Sequence, residues 1–423
     1  MKIQRRIALA VLAMAGTISA ITPAHAANVT VRMLHPDNDP AVVALFNTAA
    51  RRFEAANPGV KVDIRFLEGE AYKQKLTTLL QSTERPHLLY SWGGGVLRDQ
   101  VKAGVIQDLT GEMNAGWGKR FIPSALKAYT VDGKIYGVPY QATQVGFWYN
   151  KALMTKAGVD PTALKTWDDF LAAVAKFKAA GITPLSLGGG DKWPVHYYWA
   201  YLSMRIGGRA PFEAALRGEG KGFEDPVFVR AAAMTQQLAD LKPFQPGFLG
   251  ANFSQSLGNF ADGKSAMVLM VDNVPSAMPV NAADKKGFSQ DQLGWLAFPT
   301  VAGGKGEIGD AMGGMTGFLL SKGAPKEALA FLKYFSDTEI QRLAAETGAY
   351  IPVVNGTQDA LKNRFQKLHA GNIAQSKYYQ TYYDQELGAK AGAVIKDLSV
   401  DLVGGRKTPQ AAAAALQKAV KSR

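Results

Sequence analysis

The feature that most narrows the fold is a regular exchange of β-rich runs and helix-period segments across residues 29–103. Val29–Leu34 reads as a short strand ended by His35-Pro36. Pro40–Ala56 places Val43, Phe46, Ala50 and Phe53 at helical spacing and stops at Asn57-Pro58-Gly59. Val60–Leu67 alternates Val60, Val62, Ile64 and Phe66 with Lys61, Asp63 and Arg65, the pattern of a half-buried strand. Helix spacing returns over Tyr72–Gln81, a short apolar strand covers His87–Trp92, and Val96–Ala103 is helical again. The order β-α-β-α-β-α predicts an α/β fold with a mostly parallel sheet covered by helices. After Val131 the alternation becomes irregular. An Asp132-Gly133 hairpin is expected, then a strand at Gln144–Tyr149. Thr166 and Asp169 form a capping box opening a helix over Phe170–Ala180. Further strands are expected at Thr183–Leu187, Ala266–Val271, Leu293–Phe298 and Gly317–Ser321, and helices at Phe228–Asp240, Lys326–Phe335, Thr338–Thr347 and from Pro409 onward. No internal repeat is present.

The first residues carry an address. Lys2, Arg5 and Arg6 precede an apolar run, Ile7–Ile21, and Ala24-His25-Ala26 follows Pro23 as a cleavage signal. This is a secretory signal peptide over residues 1–26, with the mature chain beginning at Ala27. Arg5-Arg6 raises a twin-arginine route, which ranks below ordinary secretion. The chain has no cysteine, which excludes disulfides, thiol catalysis and a lipid-modified cysteine at the cleavage site. No second apolar run of about 18 residues predicts a membrane span. A soluble periplasmic protein is therefore expected. Removing the leader takes 423 residues to 397 and the formal charge from +13 to +10, enough chain for two or three domain-sized units. The basic residues are dispersed, with no run of five and no interleaving with aromatics, so no nucleic-acid partner is expected.

Enzyme signatures are missing: no G-x-S-x-G, H-E-x-x-H, P-loop or first-strand G-x-G-x-x-G occurs. His35, His87, His196 and His369 stand far apart in sequence, so no metal site and no cofactor are expected. Asp37 and Asp39 lack the rest of a calcium-loop pattern and read as turn residues before a helix. Ser91-Trp92-Gly93-Gly94-Gly95 is more informative. Glycines after a buried strand let backbone N–H groups approach a ligand, and a Trp plate suits the apolar face of a sugar ring. Gly188-Gly189-Gly190-Asp191-Lys192-Trp193 repeats that chemistry, and Tyr197 falls one helical turn from Trp193. Trp199 and Tyr201 read as core. Two glycine-plus-Trp loops after strands in different halves suggest two walls of one cleft.

Several ordered segments carry a family resemblance: Phe53-Glu54-Ala55-Ala56-Asn57-Pro58-Gly59, Gly137-Val138-Pro139 followed by Trp148-Tyr149-Asn150-Lys151, Lys165-Thr166-Trp167-Asp168-Asp169-Phe170, Phe260-Ala261-Asp262-Gly263-Lys264-Ser265-Ala266-Met267 and Ala328-Leu329-Ala330-Phe331-Leu332. On these, the chain resembles the extracellular solute-binding proteins of bacterial ABC sugar importers, the maltose-binding-protein-like family. The resemblance implies two α/β lobes, residues 27–142 plus 300–350 and residues 143–299 plus 351–423, closing on a sugar at a hinge. It implies a monomer that delivers its sugar to a membrane permease and performs no chemistry. By position it places Trp92 and Trp193 as stacking aromatics, His35 and Asp37 on the first-strand loop, Glu68 and Tyr72 after the second strand, Thr143 and Gln144 at the hinge, and Gly313-Gly314-Met315-Thr316 on a returning loop. Tyr383 and Asp384 precede a late helix that faces the cleft. Where many relatives carry a second Trp, this chain has Asp272-Asn273, which exchanges a stacking plate for hydrogen-bonding groups. Two alternatives remain at this point: an acidic uronate oligosaccharide as ligand, in keeping with the +10 charge, or a secreted carbohydrate-active enzyme using Glu68 and Asp272.

Overall fold

A computed structural model describes residues 29–422. The expected leader, residues 1–26, lies outside the described residues. In chain order the strands are β1 (Val29–His35), β2 (Val60–Phe66), β3 (Leu88–Ser91), β4 (Thr130–Val131), β5 (Lys134–Ile135), β6 (Gly137–Ala142), β7 (Gly146–Asn150), β8 (Thr183–Ser186), β9 (Ser265–Met270), β10 (Leu293–Leu296), β11 (Ala311–Gly313), β12 (Met315–Leu320), β13 (Ile351–Pro352) and β14 (Tyr379–Thr381). β4 and β5 make the expected hairpin, with Asp132 and Gly133 at φ 49° and 76°, the left-handed pair that a two-residue turn requires. The capping box at Thr166 also forms, with both reciprocal bonds to Asp169 present.

Two sheets organise the molecule, ordered β13-β6-β12-β3-β1-β2 and β10-β7-β9-β8. The expectation of mostly parallel sheets needs correction. β1 pairs parallel with β2 and β3, and β8 with β9, but β12 with β3 and β6, β13 with β6, and β7 with β9 and β10 are all antiparallel. Parallel neighbours need a helical crossover. Helices separate β1, β2 and β3, whereas β6 passes directly into β7 of the other sheet and β11 into β12 across Gly314.

Each sheet has its own apolar core. The larger is packed by Val31, Phe46, Leu89, Tyr140, Phe318 and Phe331; the smaller by Phe147, Phe170, Leu185, Tyr201, Phe298 and Ile395. These define the two lobes. The aromatic stretch expected at Trp193–Tyr201 is a helix, Trp193–Gly207, buried on nearly every side. Trp199 donates its indole N–H to the Phe228 carbonyl at 2.9 Å and Tyr201 its hydroxyl to Val145 at 2.6 Å, so both are core with their polar ends paired.

The lobes are joined where β6 runs into β7 and β11 into β12. Thr143 sits at that crossing. Its N–H donates to Gly314 O at 3.0 Å, the Gly314 N–H donates to its hydroxyl at 2.8 Å, and its carbonyl accepts the Tyr379 hydroxyl at 2.6 Å. The approach is so close that a Cβ on Gly313 would lie 2.0 Å from the Thr143 carbonyl oxygen.

The second lobe also clasps the chain before β11. Arg205, fully buried, donates to the carbonyls of Phe298 (2.9 Å), Pro299 (3.2 Å), Ile308 (3.3 Å) and Asp310 (3.0 Å), and also to Glu307. A guanidinium offers five donors in a rigid fork, so one side chain satisfies a whole loop. Arg205→Met should lower unfolding stability by about 3 kcal/mol or more, since several buried carbonyls lose their partner. Urea unfolding with an unchanged midpoint would contradict this.

Candidate functional site

A cavity of about 240 Å³ lies between the lobes, at the carboxyl ends of β1, β2, β3, β8 and β9. From the first lobe come Asp37, Glu68, Lys73, Tyr90 and Trp92; from the second, Asp191, Trp193, His196, Tyr197, Asp272 and Asn273; Thr143 and Tyr382 line the hinge side. Trp92 stands edge-on to Tyr90 at 4.8 Å and Tyr72 at 5.9 Å. The Lys73 ammonium lies 5.1 Å from the Trp92 ring centre, a cation–π contact that the sequence did not suggest. On the facing wall Trp193 packs against Tyr197 at 5.7 Å and Phe253 at 5.6 Å.

Of the thirteen residues expected at the site, the structure brings Asp37, Glu68, Trp92, Thr143, Trp193, Tyr197, Asp272 and Asn273 to the cavity wall. Five sit behind it or elsewhere. His35 is buried, packs on Phe46 at 5.0 Å and accepts the Asp37 N–H at 3.2 Å, so it supports the Asp37 loop from below. Met315 is buried in the first core and its neighbour Thr316 lines the cavity instead, because successive strand residues face opposite sides. Gln144, in the link between β6 and β7, does not line the cavity as Thr143 does; its side-chain oxygen accepts from Asn372 at 3.1 Å. Gly93 and Gly94 do not line the cavity either, and the Gly93 N–H donates to the Ser91 hydroxyl at 3.2 Å. A Cβ on Gly93 would meet the Ala128 carbonyl at 2.7 Å, one on Gly94 the Glu386 carboxylate at 2.9 Å, and one on neighbouring Gly95 the Glu386 carbonyl at 2.4 Å. The triplet therefore serves close packing, and Gly94 and Gly95 pack against the other lobe. Among the weaker expectations, Asp384 and Thr316 reach the cavity, Tyr72 buttresses Trp92, and Tyr383 is core, stacked on Phe212 at 4.2 Å.

An ion network crosses the cavity rim and was missed in the sequence. Lys73 lies 3.1 Å from Glu70 and 3.3 Å from Asp384, Lys396 lies 2.8 Å from Glu70, and His196 Nε2 lies 3.7 Å from Asp384. Glu70 and Lys73 belong to the first lobe, the others to the second. The i,i+3 spacing of Glu70 and Lys73 was the only local signal; the rest are brought together by tertiary structure. Nearby, the Ser276 hydroxyl of the second lobe donates to Asp39, which also caps the helix Pro40–Ala56. Among the described residues no group of three His, Cys, Asp or Glu side chains is placed to hold a metal ion, and no helix is long and apolar enough to cross a membrane.

A family model for bacterial extracellular solute-binding proteins matches residues 35–342. The chain belongs to that family. A Brucella abortus relative named only as a binding protein is 30% identical over 243 residues, 56% of this chain and 57% of the relative, so the chain spans little more than half the length of that relative. A Mesorhizobium japonicum relative, named a probable sugar-binding periplasmic protein, is 36% identical over 262 residues, 60% of this chain and 59% of the relative. Among solved structures, a chitin oligosaccharide binding protein is 28% identical with a TM-score of 0.84, covering 93% of this chain and 98% of that one. The two-lobed architecture is thus that of periplasmic solute receptors, and the family binds solutes rather than converting them.

The solute-binding cleft is rich in acid. Burial pushes the Asp37 carboxyl up to about 7, helped by the charge of Asp39, and burial does the same to Asp272. Burial also lowers His196 and takes His35 down to about 4, leaving both imidazoles neutral near pH 7. Lys73 is the exception: burial opposes its charge, but Asp384 and Glu70 outweigh that and hold it above the ordinary lysine range. The sign for stability follows. An unfolded Asp releases its proton near 4, and folded Asp37 keeps its proton to about 7. The folded state therefore binds more protons between those values, and this group's contribution to stability falls as pH rises through the window. The buried histidines contribute with the opposite sign. In Asp37→Asn the falling term is removed, so the ligand-free variant should gain on the native protein between pH 4 and 8, by at most about 4 kcal/mol for a proton released near 7 rather than near 4. Denaturant midpoints of both proteins across that range measure the difference; a pH-independent difference would refute the shift.

Proposed function

We propose that this protein captures a sugar, a short oligosaccharide, between its two lobes and hands it to a membrane permease. The observation that carries this reading is the cavity itself: Trp92 and Trp193 on opposite lobes, with Asp37, Glu68, Asp272 and Asn273 between them. Indole faces suit the C–H faces of sugar rings, and carboxylate and amide oxygens accept from hydroxyls. The sugar-binding names of the Mesorhizobium relative and of the chitin oligosaccharide receptor point the same way.

Capture works through differential affinity. A ligand touching both walls favours the state in which they meet, and shifts the population only as far as it binds that state better. The uronate alternative loses support in the cleft, since Lys73 is already paired with Glu70 and Asp384 and His196 is held neutral. The enzyme alternative has the family against it, and a receptor returns its ligand unchanged, so product analysis after long incubation with oligosaccharides separates the two. Export with cleavage before Ala27 completes the reading and is checked by the intact mass of the periplasmic protein.

Thermal melting against mono- and oligosaccharides, amino sugars and uronates is the direct test. A true ligand at a hundredfold excess over its Kd adds about 2.7 kcal/mol of stability. Trp92→Ala and Trp193→Ala should each weaken that ligand by at least about 2 kcal/mol, roughly 30-fold, as buried aromatic anchors do. Native affinity in both variants would remove the stacking role.

A further inference from the structure

Behind Asp272 and Asn273, away from the sugar cleft, lies a separate cavity of about 30 Å³. Four side-chain oxygens of residues lining it have no hydrogen-bond partner: Gln141 Oε1, Asp272 Oδ1, Asn273 Oδ1 and Gln366 Oε1. Asp272 and Gln366 are each only 7% exposed. The Gln366 amide is oriented by its own N–H, which donates to the Gly348 carbonyl at 2.9 Å, so its oxygen is left over as an acceptor. Asn273 occupies the N-cap position of the helix Val274–Asn281, where an Asn side chain ordinarily accepts from the first turn, yet it makes no such bond.

Water answers this arrangement poorly. The cavity has room for one or two molecules. One water donates two hydrogens; two touching waters, one donating to the other, leave three. Once Asp272 has lost its proton, above about pH 7, four buried acceptors then keep at least one unpaired. A cation has no such limit, and carboxylate and amide oxygens are the ligands that hard cations take.

We propose that this cavity is a binding site for a hard cation, sodium or calcium, held by Gln141, Asp272, Asn273 and Gln366. Gln141 comes from β6 in the first lobe, Asp272 and Asn273 from the end of β9 in the second, and Gln366 from the helix Arg364–Gln375. An ion there bridges the lobes at the hinge and fixes the two residues that also face the sugar cleft. With one carboxylate among four oxygens the site is weak, in the range of about 0.1–1 mM for calcium.

The test uses the full exported chain without sugar, so its failure leaves the sugar reading untouched, and failure of the sugar screen leaves this one untouched. The protein is stripped with chelator, moved into choline chloride, and melted against calcium chloride or sodium chloride at constant ionic strength. A saturable rise in melting temperature in one arm identifies the ion. Terbium in place of calcium should luminesce on excitation of the protein, because Tyr350 lines the cavity. Gln366→Met should weaken the midpoint about tenfold, whereas Gln366→Glu, with an added charge, should strengthen calcium more than sodium. If Gln366→Met is itself badly destabilised, the Glu variant and terbium on the native chain decide. Flat melting in both arms, or midpoints unmoved by both variants, means ordered water only and overturns the proposal.

Discussion

Everything in this molecule turns on a few hydrogen bonds around Thr143. Its backbone and hydroxyl are both engaged with Gly314, and its carbonyl with Tyr379, so two passages of chain between the lobes are tied side to side. With the crossings held together, the two independently cored lobes face one another, and residues as distant in sequence as Trp92 and Trp193 meet across one cavity.

The electrostatics of the cleft run against the charge of the chain. The whole protein is basic, at +13, yet the cavity wall carries the acidic residues Asp37, Asp39, Glu68, Glu70, Asp191, Asp272 and Asp384 against the ammonium of Lys73, with His196 neutral. The surplus of lysine and arginine lies elsewhere and says nothing about the ligand. Lys73 pairs with Glu70 of its own lobe and with buried Asp384 of the other, and removing it would take from Asp384 its ammonium partner at 3.3 Å while Glu70 keeps Lys396. Its ammonium also shields one region of the Trp92 ring, so any group stacking there must share the indole with a charge or displace it.

Much of this was legible in the sequence, because hydrophobic period and turn chemistry are local. The first β-α-β-α-β-α units, the Asp132-Gly133 hairpin and the Thr166 capping box all formed where spacing put them. The strand directions of both sheets were not legible, since they depend on where the chain crosses between lobes. Site residues divided along the same line. Trp92, Trp193 and Asp37 end strands or open helices and were readable as such. Met315 fell one residue out of phase, because a strand presents alternate side chains and nothing local says which face meets the cleft, and Gln144 sits in the link between β6 and β7, whose turn has no local period. Lys396, Tyr382 and the Asp384–His196 contact arise only from tertiary folding.

The glycines after Trp92 set how closely the two lobes approach. Without side chains at Gly94 and Gly95, the first lobe rests on the main chain of residues 385–388 in the second. Main chain against main chain leaves no rotamer to yield. A side chain at either glycine would wedge the halves apart by its own width, so the gap between Trp92 and Trp193 is gauged in part by two residues that do not line it.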